Sequence, residues 1–535
     1  MKRSEATNPV TAMNQDEMAA LKAGVLELET QTMKLEALVK YYEERLRLAR
    51  HKQFGASSES SGQNPDQLSF FNEAEVCADA NVPEPELIEI EKHYRKRTRL
   101  TTDKLPDNLP VEVVEHDLPE DEKVCPECGG DMHVMGRDTR RELVIIPAQV
   151  KIREHVRKVY TCRDCETDEY GAPIVKAALA EPVMKGSFAS PEAIAQIMTQ
   201  KFVMGSPLYR QEQELNRQGI QLSRQTMSNW LLRATEDWLE PIYGVMKEIL
   251  VNREVLHADE TTLQVLHEPG KSAQSKSYMW LYRTSGDTDS PSVLFEYQPD
   301  RKTKRPAEFL KGFKGYLHTD GYEAYHSLGS GIIVTGCWAH ARRKFDEALK
   351  SLPEKDREGS HAMRGKQYCD QLFMLEREFA DLDSQERYKK RQELSKPLVE
   401  AFFQWASSIG VLPKSITGQA RHYALSQKKY LERYLMDGRL EISNNRAERS
   451  IKPFVIGRKN FLFANTPRGA KASAIMYSII ETAKENGLDP YKYLVYVFEK
   501  APNWDVPNDI NSVEALLPWF VPARLKAVRD SSPAV

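Results

Sequence analysis

A chain of 535 residues, 29% of them charged and 41% hydrophobic, is too long to close around one core and is expected to fold as several domains. With a mean hydropathy of −0.57 and no apolar run near the roughly 18 residues that cross a bilayer, it is not a helical membrane protein. Seven cysteines are few for this length and exclude a disulfide-rich scaffold, and the start, MKRSEATNPV, lacks the apolar core of a secretory signal, so a cytoplasmic location is expected.

Between residues 17 and 50 two seven-residue series interleave: Leu21, Leu28, Leu35 and Tyr42, and Val25, Thr32, Val39 and Leu46. Alternating steps of four and three are the seam of a coiled coil, with Thr32 as a polar seam position that sets register. The stripe suits a helix laid on its own protein or a helix that self-associates. Four unbroken heptads favour the second, a dimer or higher assembly through residues 1–54. Gly24 weakens the first turn. Residues 55–90 lose the period and are rich in Ser, Asn, Gln, Pro and acids, the composition of a flexible linker. KHYRKRTR (Lys92–Arg99) then packs five basic residues around His93 and Tyr94, either a solvated arm or a contact for a phosphate backbone.

Residues 91–180 hold two CxxC pairs, Cys125 and Cys128 in CPECGG and Cys162 and Cys165 in CRDC, with 33 residues between them. The alternating stretches Leu143–Ile152 and His155–Cys162 are predicted strands. Two thiolate pairs give Zn²⁺ a closed tetrahedral site of the structural kind, and Gly129–Gly130 let the knuckle turn back toward the sulfurs. A zinc-ribbon-like β module is expected; four unrelated thiols account poorly for a doubled motif.

Residues 181–248 are helical in pattern. Ser190-Pro191 caps and opens one helix. Leu208–Arg217, the turn Gln218-Gly219-Ile220, and a helix capped by Ser223 and running through Trp230 have the proportions of a helix-turn-helix, which would turn Arg224, Gln225, Ser228 and Asn229 toward a DNA groove. A plain helical hairpin has the same proportions.

Residues 249–345 read as mixed α/β. EVLHADETTLQV (Glu254–Val265) is an apolar strand broken once, at Asp259 and Glu260. Tyr278–Thr284 and Ser292–Gln298 are further strands, and Arg305–Phe313 is a helix. GYLHTDGYEAY (Gly315–Tyr325) is a strand broken at Asp320, and Gly331–Phe345 is a strand entering a helix. This order suggests a catalytic sheet of the ribonuclease-H type. Residues 346–435 are mostly helical, an insertion with apolar spacing at Leu372, Leu375 and Phe379 and at Leu398, Phe402 and Trp405. Residues 436–500 resume the core: Glu448 lies in SNNRAERSIKPF, a helix start with Ser443 or Asn444 as N-cap, and Tyr491–Phe498 opens a closing element. The tail, 501–535, ends in fifteen residues that look frayed. From Arg439 to Lys471, eight Lys/Arg stand against two Glu, a local excess that favours a nucleic-acid partner.

A carboxylate interrupting an apolar strand is costly to bury unless a cation or strong donors meet it. Asp259, Asp320 and Glu448 are therefore candidates for an all-oxygen site holding two Mg²⁺ or Mn²⁺ ions, with Asp259 bridging, Asp320 on one ion and Glu448 on the other. Such a pair serves phosphodiester hydrolysis and transesterification. The chain has 78 acids, so placement, not residue type, singles these three out. His257 and His318 each precede an aspartate by two, which puts each pair on one strand face. They are hydrogen-bonded core histidines, or partners that orient carboxylate or phosphate, a group that also takes in His340. Arg342, Arg343, Arg458 and Lys459 are candidate phosphate contacts or plain surface charges.

Taken together, HADET, HTDGY, CWAHARRKF, EISNNRAERSIKPFVIGRKNFLF and NGLDPYKYL resemble the insertion-sequence-66 family of DDE transposases. The likeness runs from the zipper and the FGASSES turn through CPECGG…CRDC and PLYRQE…SRQTMSNW to the acidic motifs; FGASSES lacks the basic residues of the commoner FGRSSEK form. The resemblance implies that Asp259, Asp320 and Glu448 are the metal-binding triad. It also implies binding of terminal inverted repeats, metal-dependent strand cleavage, and joining of the freed 3′-OH to target DNA. Such elements usually encode small accessory proteins as well. Two other functions fit the same residues: a non-catalytic DNA-binding regulator derived from a transposase, and a nuclease of the same fold that cuts without joining. Intact acids at all three positions speak against the regulator.

Overall fold

The computed structural model describes residues 15–54, 150–156, 159–161, 174–176, 178–286, 288–504 and 510–526. The chain divides into two compact units, Met1–Gly55 with Leu179–Val535, and Ala56–Ala178. In the second, β1 (Val159–Thr161) pairs antiparallel with β2 (Ile174–Lys176). Residues 150–156 are exposed and form no strand, so the strand expected through Ile152 is not formed at its described end. Val150 and Ile152, 59% and 96% exposed, have no ladder partner there among the described residues. Cys125, Cys128, Cys162, Cys165, the 55–90 linker and the Lys92–Arg99 run lie outside the described residues.

In the larger unit α1 (Gln15–Phe54) is one helix of 40 residues. The helices α2 (Pro191–Phe202), α3 (Leu208–Arg217), α4 (Arg224–Ala234) and α5 (Glu240–Val251) follow the expected signals. The Ser190 hydroxyl accepts from the Ala193 N–H and the Ser223 hydroxyl from the Thr226 N–H, each satisfying a donor that the helix itself leaves open. Ile194, Met198, Trp230 and Met246 of these helices fill the same core as Leu256, Phe295 and Ile479, so packing is continuous across residue 248.

The sheet contains β3 (Val255–Gln264), β4 (Lys276–Thr284), β5 (Val293–Gln298), β6 (Gly315–His318) and β7 (Ile332–Thr335), in the order β5-β4-β3-β6-β7. The first three form an antiparallel meander; β6 and β7 then line up parallel on the other side of β3. β3 is thus central. At Gly315 (φ +153°) an added Cβ would lie 2.2 Å from the Glu254 carbonyl, which accepts the Tyr316 N–H at 2.8 Å. Only glycine permits this approach of β6 to β3.

α6 (Lys304–Phe309) is shorter than the expected Arg305–Phe313, because the chain turns at Leu310 to bury Leu310 and Phe313 in the core. α7 (Trp338–Ser351) leads into the insertion, whose helices include α8 (His361–Glu378), α9 (Lys396–Ser408) and α10 (Ile416–Ser426). Trp338, Phe345, Leu372, Phe402 and Trp405 form a second core that fastens the insertion to α7. The closing helices are α11 (Asn445–Phe461), α12 (Pro467–Glu485) and α13 (Pro490–Lys500). Part of the tail expected to fray is packed: Leu525 is 8% exposed and its carbonyl accepts the Asp489 N–H at 3.0 Å. Leu516, Leu517 and Leu525 are apolar enough to hold residues 510–526 on the main core.

α1 meets the rest of the unit through a polar face. The buried Glu44 carboxylate accepts the Ile416 N–H (3.1 Å), the Arg47 guanidinium donates to the Ser351 carbonyl (2.6 Å), and Leu48 packs beside Ala348, Ala362 and Ile416. The seam residues Val25, Leu28, Leu35, Val39, Tyr42 and Leu46 point elsewhere and stay 48–64% exposed.

Edge strand β5 is sealed by side chains of α12. The Val293 N–H donates to the Thr482 hydroxyl (3.0 Å), which donates in turn to the Val293 carbonyl (3.0 Å), and the Phe295 N–H donates to the Ser478 hydroxyl (2.7 Å). Replacing Thr482 by valine keeps the shape and leaves two buried backbone groups without partners. Thr482→Val is expected to lower stability by about 1–3 kcal/mol in chemical denaturation, with Thr482→Ser close to wild type. An unchanged midpoint for Thr482→Val would remove the sealing role.

Candidate active site

Strand pairing sets the two aspartates side by side. In the parallel register His257 lies opposite His318, and their rings stack at 4.5 Å with 12° between planes. Asp259 and Asp320 each follow two residues later, Asp259 still on β3 and Asp320 in the turn that ends β6. That turn is fixed locally, since Asp320 Oδ1 accepts the Tyr322 N–H (2.9 Å), and from the insertion, since the Tyr423 hydroxyl donates to the Asp320 carbonyl (3.1 Å).

Glu448 arrives in the first turn of α11, and Asn444 positions that turn. Its Nδ2 donates to the Ala258 carbonyl (2.8 Å), so its Oδ1 is the acceptor for His257 Nδ1–H (3.0 Å). Asn444 stands at the N-cap as expected but makes no side-chain cap bond; the amide serves β3 in place of its own helix. The Asn444 N–H donates to Cys337 Sγ (3.1 Å) and the Trp338 N–H to the Ile442 carbonyl (3.1 Å), tying α11 to α7 as well.

Asp259 feels several other acids. Burial raises the Asp259 carboxyl well above the usual range, and the charges of Glu260, Asp320 and Glu448 raise it further. The Glu260 N–H, donating to Asp259 Oδ1 at 2.8 Å, opposes them only in part. Carboxylates crowded in this way call for a cation. Glu448 Oε1 is buried and has no hydrogen-bond partner, and an all-oxygen set suits Mg²⁺ or Mn²⁺, so these residues fit a hard divalent ion. Burial lowers both histidines, His257 to about 3 and His318 well below its ordinary value, so both rings are neutral imidazoles.

Glu260, one residue on, faces the opposite side of β3, where Arg301 forms an ion pair with it and the Tyr325 hydroxyl donates to it at 2.5 Å. Sequence reasoning assigned nothing to Glu260, Arg301, Tyr325 or the Asn444 amide. The N-cap position of Asn444 was legible in the sequence, whereas its bonds to β3 were not.

The cationic candidates separate by environment. Arg343 Nη2 donates to Glu448 Oε2 (3.1 Å), and its Nη1 lies 3.4 Å from His340 Nε2, while His340 Nδ1 faces Glu448 Oε1 at 3.5 Å. Arg342 points into the insertion and pairs with Asp370 at 2.5 Å. Arg458 is fastened to β3 through the carbonyl and hydroxyl of Thr262. Lys459 is exposed near the end of α11. Arg224, Gln225 and Asn229 are exposed on α4, with Arg224 5.6 Å over the Tyr209 ring.

The shift at Asp259 yields a stability prediction. An acid whose pKa is raised on folding favours the folded state's protonated form, so its penalty is absent below the unfolded value of about 3.9. The penalty grows as pH rises and is complete above the folded pKa. Asp259→Asn is therefore expected to raise the melting temperature of the metal-free protein at neutral pH and to have no effect near pH 3. Added Mg²⁺ should stabilise wild type more than the variant; equal metal response in thermal scans would break the link to Asp259.

Comparison with known proteins bears on the same residues. A family model described as "Transposase IS66 family" matches residues 186–472, and one described as "zinc-finger binding domain of transposase IS66" matches residues 122–166, a span that includes all four CxxC cysteines. "Transposase C of IS166 homeodomain" matches residues 41–114 and "IS66 C-terminal element" residues 478–519. The chain is similar to the uncharacterized protein y4qI of Sinorhizobium fredii, with 32% identity over 76% of this chain and 75% of that one. It is also similar to y4hP of the same organism, with 30% identity over 77% and 76%. Among the described residues, no helix is long and apolar enough to cross a membrane.

Proposed function

The chain belongs to the IS66 transposase family, and from that premise we propose that it is a DNA transposase that binds the terminal inverted repeats of its element, cleaves them with metal ions, and joins the freed 3′ ends to target DNA. The observation that carries the reading is the β3–β6 register, which sets His257 opposite His318 two residues before Asp259 and Asp320; the charges of Asp320 and Glu448 acting on the buried Asp259 carboxyl support it. A central β3 with antiparallel β4 on one side and parallel β6 on the other supports a ribonuclease-H-like core with the 346–435 helices inserted before its last acid.

A pair of Mg²⁺ or Mn²⁺ ions held by Asp259, Asp320 and Glu448 supplies nucleophile activation and charge neutralisation at phosphorus. Arg343 holds the Glu448 carboxylate from the α7 side, with His340 beside it, and Asn444 keeps the α11 start against β3. His257 and His318 pack behind the aspartates as neutral rings. Arg458, Lys459 and the exposed Arg224, Gln225 and Asn229 face DNA phosphates or base edges, and Arg342 contributes through the insertion. Cys125, Cys128, Cys162 and Cys165 hold a structural Zn²⁺ that orders the module before the helices. The protein acts in the cytoplasm with the element's DNA and with any accessory proteins the element encodes.

Assembly is proposed through the α1 seam. Because α1 seats on its own chain by Glu44, Arg47 and Leu48 while the seam stays exposed, a second copy is the natural cover for that stripe. Leu28→Lys with Leu35→Lys is expected to reduce the mass in light scattering to the 61.2 kDa of one chain; an unchanged mass would rule out the zipper.

The chemistry is tested with labelled terminal-repeat DNA and Mg²⁺. Cut and joined products are expected from wild type, and none from Asp259→Asn, which should still bind the ends. Arg343→Ala should slow cleavage by about 10–100-fold, the range for groups that orient a metal ligand. Binding without any cleavage by wild type would make the protein a regulator, and cleavage without joining would make it a nuclease.

A further inference from the structure

The first turn of α7 holds a donor set of a different character from the three acids. Cys337 Sγ, a ring nitrogen of His340 and a carboxylate oxygen of Glu448 all lie within 4.8 Å of one another. Cys337 stands at the N-cap of α7, and His340 follows one turn later. Glu448 enters from α11. His340 Nδ1 and Glu448 Oε1 are both buried, face each other at 3.5 Å, and lack hydrogen-bond partners. Arg343 occupies the other two atoms, His340 Nε2 and Glu448 Oε2, so the inner pair is left facing the sulfur.

We propose that Cys337, His340 and Glu448 form a site for a soft divalent cation, Zn²⁺ above all, whose occupancy withdraws Glu448 from the carboxylate set. Thiolate, imidazole and one carboxylate with an open fourth position are a favoured Zn²⁺ set, and the sulfur and nitrogen discriminate strongly against Mg²⁺. Binding requires the thiol to release its proton to solvent as the S–Zn bond forms. Burial opposes that loss, whereas the N–H groups of Ala339, His340 and Asn444, all directed at the sulfur, favour the anion. Ligation through Nδ1 places the ring proton on Nε2, so the 3.4 Å approach of Arg343 Nη1 opens while its contact to Glu448 Oε2 is kept. The site itself stands independently of the catalytic reading; its inhibitory effect rests on that reading.

The test uses the full-length protein, stripped of metal and dialysed against Zn²⁺, with zinc counted per chain. Wild type is expected to bind one more Zn²⁺ than Cys337→Ser or His340→Gln, and Asp259→Asn as many as wild type. Zinc held by the CxxC module contributes equally to all four and cancels. Equal counts in all four proteins overturn the site, and a loss in Asp259→Asn overturns the donor assignment. If either variant loses its helical circular dichroism, Co²⁺ difference spectra of the other decide: a thiolate-to-Co²⁺ band present in wild type and Asp259→Asn but reduced in that remaining variant supports the site, and an unreduced band overturns it. In the Mg²⁺ cleavage assay, with each rate scaled to its own uninhibited value, Cys337→Ser should need at least tenfold more Zn²⁺ for half inhibition. An unshifted dose curve overturns the withdrawal of Glu448. A protein with no cleavage at all refutes the transposase reading and leaves the zinc count to decide the site.

Discussion

One side-chain amide carries much of this architecture. Asn444 spends both ends on β3, donating to the Ala258 carbonyl and accepting from His257, while its own N–H goes to Cys337. These bonds join segments far apart in sequence, and each lies in a buried setting where an unmade partner is costly. Glu448 sits one helical turn beyond this anchor, so the position of the last acid is inherited from the first strand. The insertion is held to the same frame, because the Trp338 N–H and the Ile442 carbonyl meet beside it.

Around that anchor the charges are treated in two ways. Where a carboxylate is structural it is matched: Glu260 has Arg301 and Tyr325, and the buried Arg283 forms two 3.0 Å bonds to Glu485, joining β4 to α12. Asp259 is left among like charges, with a single N–H in support. At Asp259 the fold tolerates local instability where a cation is useful.

Much of this was legible in the residues, and what was not has a physical cause. The Ser190 and Ser223 caps, the five strands of the sheet and the α7 entry follow from local pattern, since period and capping chemistry act over a few residues. Asp259 and Asp320 stand out in the sequence because they interrupt apolar strands, where burial of charge is costly, whereas Glu448 lies at a helix start where a carboxylate is locally unremarkable. Arg343 could not be told from Arg342 by sequence: neighbours on one helix differ by about 100° in direction, and only packing decides that one reaches Glu448 and the other Asp370. Leu525 was missed because a short apolar tail looks the same whether it frays or docks. Asn444 stands at the expected N-cap, but the bonds of its amide were not legible because its partners lie on a distant strand.

The hydroxyls that close the flank of β5 also limit how the protein can associate. A sheet with an open flank can recruit an extended segment from another chain, by β-augmentation or by misassembly during synthesis. Here Thr482 and Ser478 occupy the backbone positions such a visitor would need, and Tyr243 donates to the Phe295 carbonyl at 3.0 Å on the same strand. Copies of this chain are thereby denied sheet-to-sheet fusion along that border, so a visiting strand finds its backbone positions already taken by side chains of α12.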